Sequence, residues 1–232
     1  MIAFFRNARK GLRRLFNVTT VRLDGVVIST HPSDISRRVR NEVFKGTYEQ
    51  PESMLVREFL SKGDRVLEIG GGVGFISLLC ARICGPENVL TYEANSGMQS
   101  PIKVNQSLNG LAPQVRFKAI TVAEREVTFY INDNIISSSL HHRDHTHPHK
   151  VPADPLDEVI AEWKPTAIVM DIEGAETMIL PTSQLNGVKK IILELHPHIV
   201  GEPETAAMKS HLEKLGFHEE RTVYKSSCFL RQ

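Results

Sequence analysis

The stretch that most constrains this chain is "VLEIGGGVGF", residues 66 to 75, where an apolar run meets an acid and breaks into glycines. Gly70, Gly71, Gly72 and Gly74 fall within five residues, directly ahead of a second apolar stretch. Glycine costs conformational entropy wherever it is ordered, so four together imply that something must approach that backbone closely. The run before them has the length and composition of a strand covered on both faces. The run after them reads as a helix.

That alternation continues downstream. "RVLEI" is the first core strand, and "GFISLLCARIC" is a helix stopped by Gly85-Pro86. "NVLTYE" is the second strand, followed by a helix running to Asn109-Gly110, with Ser100 expected as its cap and Pro101 at its first position. "QVRFKAI" reads as a third strand and "REVTFYI" as an antiparallel ribbon. "AIVMD" and "KIILEL" are two further buried strands, with the helix "EGAETMIL" between them. A helix over about 204–215 and two closing strands, "ERTVY" and "SCFLR", end the chain. The pattern predicts a doubly wound, Rossmann-like α/β fold: a mostly parallel sheet, helices on both faces and an antiparallel C-terminal strand pair. In such sheets ligands bind beyond the carboxyl ends of the strands.

A length of 232 residues suits one large α/β domain, expected over 51–232. Residues 1–50 read as an extension: a basic amphipathic helix, then a hairpin, "VRLDGVVIS", turning at Asp24-Gly25. In the helix, Ile2, Phe4, Phe5, Ala8, Leu12, Leu15 and Phe16 share one side and the arginines lie mostly on the other. It either packs onto the domain, lies on an anionic membrane surface, or covers a substrate cleft.

Six basic residues precede the first acid, Asp24, and the remainder carries 22 basic against 27 acidic residues. That neutral-to-acidic body does not suit a nucleic-acid partner. No apolar run approaches the roughly 18 residues of a membrane span. The arginines of the opening segment do not suit a secretory signal. Cys80, Cys84 and Cys228 make a poor disulfide framework and read as small buried hydrophobes, which fits a cytoplasmic protein.

Two ligand classes use a glycine turn after the first strand. A nicotinamide dinucleotide wants G-x-G-x-x-G to seat its pyrophosphate, with an acid about 20 residues on. From Gly70 the third glycine falls at Phe75; from Gly72 the match degrades to Ser77, although Glu93 stands at a suitable distance. The second pattern, E-x-G-x-G-x-G, is filled without a gap by Glu68, Gly70, Gly72 and Gly74 and resembles that of S-adenosylmethionine-dependent methyltransferases. Glu68 would attract the positive methionine portion of that ligand, and Glu93, in "TYEAN", would accept from both ribose hydroxyls.

"VLEIGGGVGF", "YEAN", "VNQSLNG", "LDEV", "VMDIEGAE" and "LELHP" occur in order, and together they resemble the FkbM-type methyltransferase family over roughly residues 46–200, beginning near "GTYE". The resemblance implies S-adenosyl-L-methionine as donor and a hydroxyl oxygen of a small molecule or saccharide as acceptor. By position it puts cofactor binding on Glu68, Gly70, Gly71, Gly72, Gly74, Glu93, Ala94, Asn95 and Ala119. Gly71-Gly72 replaces the family's more usual Ala-Asn, and Met170 stands where lysine is common. A nicotinamide-dependent oxidoreductase and a non-catalytic S-adenosylmethionine-binding protein are the alternatives.

Methyl transfer to a hydroxyl needs alignment and a proton acceptor. Asp171, at the end of "AIVMD", is the first candidate to orient or deprotonate the acceptor; its other expected role is to cap "EGAETMIL". Glu173 and His196 are further catalytic candidates. Asp171, Glu173, Glu194 and His196 together have the donor types for a divalent cation, which the spacing permits without requiring. "HHRDHTHPHK" carries His141, His142, His145, His147 and His149; it reads as a polar loop that closes over the acceptor, with metal capture as the other reading.

Overall fold

The computed structural model describes residues 2–132 and 146–231. The chain opens with helix α1 (Ile2–Leu15), hairpin strands β1 (Thr20–Leu23) and β2 (Val26–Ser29), and helices α2 (Arg37–Lys45) and α3 (Gln50–Phe59). Two βα units follow: β3 (Val66–Ile69), α4 (Phe75–Cys84), β4 (Val89–Tyr92) and α5 (Gln99–Asn109). Next come β5 (Gln114–Arg116), β6 (Ala119–Thr121), β7 (Glu126–Asn132), β8 (Thr146–Pro155), α6 (Leu156–Trp163) and β9 (Ala167–Met170). The last part holds α7 (Glu176–Ile179), β10 (Lys190–Glu194), α8 (Pro197–Val200), α9 (Glu202–Lys214), β11 (Phe217–Val223) and β12 (Ser226–Arg231).

The main sheet has the order β11-β12-β10-β9-β3-β4-β5. β5, β4, β3, β9 and β10 are parallel, and β12 and β11 close the edge antiparallel, as the sequence predicts. Chain order reverses between β3 and β9, which makes the gap beyond their carboxyl ends the switch point. Successive strand residues face two separate cores. Val66, Val89, Val169 and Ile192 pack with α4, with Val26 and Ile28 of the hairpin and with Val43 and Phe44 of α2. Leu67, Leu90, Ile168 and Leu193 pack with Val159 and Ile160 of α6 and Met208 and Leu212 of α9. The three cysteines are buried free thiols. No helix among the described residues is long and apolar enough to cross a membrane.

Several segments depart from the expected reading. "QVRFKAI" divides: β5 joins the main sheet, whereas β6 pairs with β8 in a second sheet of order β6-β8-β7. The partner of "REVTFYI" is Thr146–Pro152, so His147 and His149 lie in a strand opposite Ile131 and Phe129, not in a loop. His141, His142 and His145 lie outside the described residues. Helix α5 begins at Gln99 after a turn of 3-10 helix, whose cap is Asn95, accepting from Gly97 N at 2.9 Å, and not Ser100. "EGAETMIL" is helical only from Glu176, because Glu173 and Gly174 both take positive φ and turn the chain sharply after β9. Asp171 therefore does not cap it.

Residues 37–45 form a helix that the sequence reading did not anticipate, capped by Ser36 and ended by Gly46 in the left-handed region. The hairpin is held by the asparagines of "VNQSLNG". Asn109 accepts from Val27 N and donates to Val27 O, and Asn105 accepts from Ser29 N while donating to Val73 O in the glycine turn. Their side-chain amides replace a missing neighbouring strand.

Candidate active site

At the switch point a cavity of about 280 Å³ opens beyond β3, β4 and β9, close to the lower end of the roughly 300–1,000 Å³ typical of ligand pockets. Its lining includes Gly70, Gly72, Glu93, Ala94, Asn95, Ala119, Asp171 and Glu173, which the sequence reading named. It also includes Glu194, named there as a possible cation ligand, and Asp34, Arg38, Tyr48, Glu49 and Lys118, which were not named.

The glycines answer first to the protein's own backbone. A Cβ on Gly70 would lie 1.9 Å from the carbonyl oxygen of Asp171, and one on Gly71 would lie 2.5 Å from Thr91 Cγ2. The two strands at the switch point thus meet because Gly70 has no side chain. Gly71 and Gly74 stay off the cavity wall, and Gly74 packs over Ile102 of α5.

Glu68, expected at the ligand, faces the α4 side of β3 instead. It shares the pleat face of Val66, is 2% exposed, and accepts from Thr91 Oγ1 at 2.5 Å, with Ser77 bonded to the same hydroxyl. Burial raises its pKa to about 8 against these hydroxyl bonds. Its position follows from strand parity: Leu67 and Ile69 face the other core.

Glu93 does reach the cavity. Its Oε2 accepts from Gly72 N and its Oε1 from Asn95 N, both at 2.7 Å. Burial raises its pKa to about 7, with the two amide bonds opposing the rise. The amides of Gly70 and Gly71 bond to Tyr92 O, and that of Gly74 to Gly71 O. Four amides of the turn are therefore engaged within the protein, one of them by a carboxylate. A pyrophosphate needs such amides free.

Asp171, Glu173 and Glu194 line the cavity, and His196 and Glu176 are buried outside its lining. Asp171 Oδ1 is buried without a hydrogen-bond partner, and it lies 3.6 Å from His196 Nε2. Asp171's pKa is pushed well up by burial and by the carboxylates of Glu194, Glu52, Glu173 and Glu49. His196 is 4% exposed, and its Nδ1 lies 3.0 Å from Glu176 Oε1. The carboxylate only accepts, so Nδ1 carries a proton. Burial lowers the imidazole's pKa most strongly of any single cause, but the Glu176 bond together with the charges of Glu176, Glu194 and Glu173 outweighs it, and the net shift is upward. Glu176 is itself fully buried and accepts from Gly174 N at 2.9 Å, which ties the turn after β9 to the turn after β10.

Asp171, Glu194 and His196 each offer a ligand atom, all within 4.8 Å of one another, so this trio could hold a cation. Glu173, expected as a fourth member, is not in that group and sits instead in a left-handed turn at φ 54°. Glu49 is the second lining acid at positive φ, 46°. Burial and neighbouring carboxylates raise its pKa well above the usual range. Tyr48, Glu49 and Glu176 escaped the sequence reading, although "GTYE" and "EGAE" were both in view.

Six carboxylates and two basic side chains line the cavity. A pyrophosphate would add to the mutual repulsion that already raises the pKa values of Asp171 and Glu49, whereas a ligand with cationic groups relieves it. The strand order, the glycine turn at the switch point and this acidic hollow define a methyltransferase of the Rossmann-like type.

The chain belongs to the FkbM methyltransferase family: the Methyltransferase FkbM domain matches it over residues 55–219. The family places it among S-adenosylmethionine-dependent methyltransferases. Its fold is similar to that of a methyltransferase from Pyrococcus furiosus, 15% identical over 99% of this chain and 97% of that one, with TM-score 0.52. M. jannaschii TYW2 in complex with AdoMet is 13% identical over 92% and 86% of the two chains, with TM-score 0.47. A ribosomal protein L11 methylase from Lactobacillus delbrueckii subsp. bulgaricus is 12% identical over 80% of each, with TM-score 0.48. No curated protein matches the sequence.

Proposed function

We propose that this protein transfers the methyl group of S-adenosylmethionine to a hydroxyl oxygen of a small molecule, which includes saccharides. The observation that carries the reading is the buried, unpartnered Asp171 Oδ1 at the wall of an acidic cavity, backed by a histidine whose other nitrogen is held. An orphaned acceptor of this kind costs about 1–3 kcal/mol unless a ligand donates to it. An acceptor hydroxyl is such a donor.

Gly70, Gly72, Glu93, Ala94, Asn95 and Ala119 would hold the cofactor, with Glu93 taking the ribose diol on the lone pairs that its amide bonds leave free. Glu68 supports the turn from beneath through Thr91. When bound, the cofactor supplies an electrophilic methyl: the acceptor oxygen forms the new C–O bond as the C–S bond breaks, and its electron pair stays on sulfur as neutral S-adenosylhomocysteine. Asp171 orients the acceptor hydroxyl and takes its proton. His196 stabilises the resulting charge distribution, with Glu176 as a positioning residue.

Titration with S-adenosylhomocysteine tests the donor half of this reading. Binding is expected, and Glu93→Ala should weaken it by roughly ten- to a hundredfold, the equivalent of about 1.5–3 kcal/mol for bonds to a charged acceptor. The wild-type affinity should also depend on pH. Glu93 titrates near 7 without ligand, facing the Gly72 and Asn95 amides, Glu68 and Tyr48. Hydroxyl donors favour its ionised form, so affinity should fall by up to about tenfold per unit as pH drops below 7, and level off above. A flat profile with an undiminished Glu93→Ala variant would remove Glu93 from the site. Binding without turnover on any hydroxylated acceptor would favour a cofactor-binding protein that lacks catalysis.

A further inference from the structure

Helix α1 is mounted the wrong way round for a soluble protein. Its basic side faces the domain. Arg13 donates to the carbonyls of Val43 and Phe44 at the end of α2, at 3.1 and 2.9 Å, Arg6 to Gln50 and Arg14 to Asn41. The two Arg13 bonds satisfy the negative end of α2, which suits a guanidinium group. The opposite side carries Phe4, Phe5, Leu12, Leu15 and Phe16, between 57% and 77% exposed. An amphipathic surface helix normally buries that stripe against the core. The helix packs onto the domain, the first of the expected arrangements, but it does so through its basic side.

We infer that α1 docks this protein on an anionic lipid bilayer, with Phe4, Phe5, Leu12, Leu15 and Phe16 entering the interface. The charge distribution selects this occupant. The first 22 residues hold no acid, Arg9 and Arg14 are exposed on α1, and α2, which α1 rests on, adds exposed Arg37 and Arg38. A second copy of the chain would bring two such basic rims together, whereas anionic headgroups neutralise them. The surface also adjoins the site: Ser36, Arg38 and Val39, at the start of α2, line the cavity. Docking therefore presents the cavity beside the headgroups.

Co-sedimentation of the full chain with vesicles tests this, using phosphatidylcholine alone and phosphatidylcholine mixed with phosphatidylglycerol. The protein is expected to pellet with the mixed vesicles at about 0.1 M salt and to be released as salt rises. The double variant Leu12→Glu, Phe16→Glu should lose about tenfold or more of that binding, while its S-adenosylhomocysteine affinity stays at the wild-type value. The affinity control separates lost docking from lost folding, and it holds whether or not the acceptor assignment does. Failure of the wild type to bind mixed vesicles overturns the proposal. So does equal binding by the variant, or a concentration-dependent dimer that the variant abolishes.

Discussion

Asp171→Asn is expected to lower methyl-transfer turnover by about 10²- to 10⁴-fold, the range a positioned base contributes, with little change in S-adenosylhomocysteine affinity. Asparagine keeps the shape of the side chain and can still accept from a hydroxyl. It cannot take the proton. The same substitution removes a charge from a cluster in which Glu194, Glu52, Glu173 and Glu49 all push the Asp171 pKa upward. Stability should therefore hold or rise while activity falls, the sign expected where a strained site serves function. The two readouts are initial rates on an acceptor the wild type methylates, and a urea midpoint. A variant with wild-type turnover would end the assignment of Asp171. Treatment with a chelator is expected to spare turnover, because Asp171 can take the hydroxyl proton without a cation to acidify it. Loss of activity, restored by a divalent cation, would instead give the trio of Asp171, Glu194 and His196 to a metal.

Gly70→Ala should be the most destabilising single substitution in the turn. An added methyl would sit 1.9 Å from the Asp171 carbonyl oxygen, and the residue holds φ at +98°. The neighbour is backbone at the centre of the sheet, so it cannot swing aside. Overpacking and the left-handed penalty together should cost about 3 kcal/mol or more, or roughly 2–4 °C of melting temperature for each kcal/mol in a chain of this size. Gly110→Ala is the control: φ is +62° and nothing lies within 4 Å of the new atom, so a loss near 1 kcal/mol is expected. Equal losses at the two positions would show that close approach is not why Gly70 is glycine.

The two substitutions bear on one contact. Gly70 lets β3 and β9 converge, and the carbonyl it meets belongs to Asp171. The turn that resembles a cofactor loop is also the device that places the catalytic candidate. Its bareness serves the chain's own backbone as well as any ligand.

Local pattern made much of this legible. Apolar runs of strand length, alternating with helical periodicity and punctuated by Gly85-Pro86 and Asn109-Gly110, were enough for the parallel sheet and its antiparallel edge. The short helix at 37–45 carried readable signals in Ser36 and Gly46, but its arginine-rich sequence lacks an apolar stripe long enough to stand out. The pairing of "REVTFYI" with Thr146–Pro152 was hidden because strand partners are chosen across sequence distance, and the histidine-rich composition of that stretch suggests a loop.

The order of residues by itself determined the fold class, the position of the glycine turn and the chemical types present at the strand ends. Those depend on periodicity and on short-range conformational preference. Only the tertiary structure decided which carboxylates share the cavity, that Glu68 faces away from it, that Glu49 and Glu194 face into it, and that α1 turns its apolar side outward. Each of these is set by strand parity or by which surface a helix finds opposite it, and contacts between distant segments determine both.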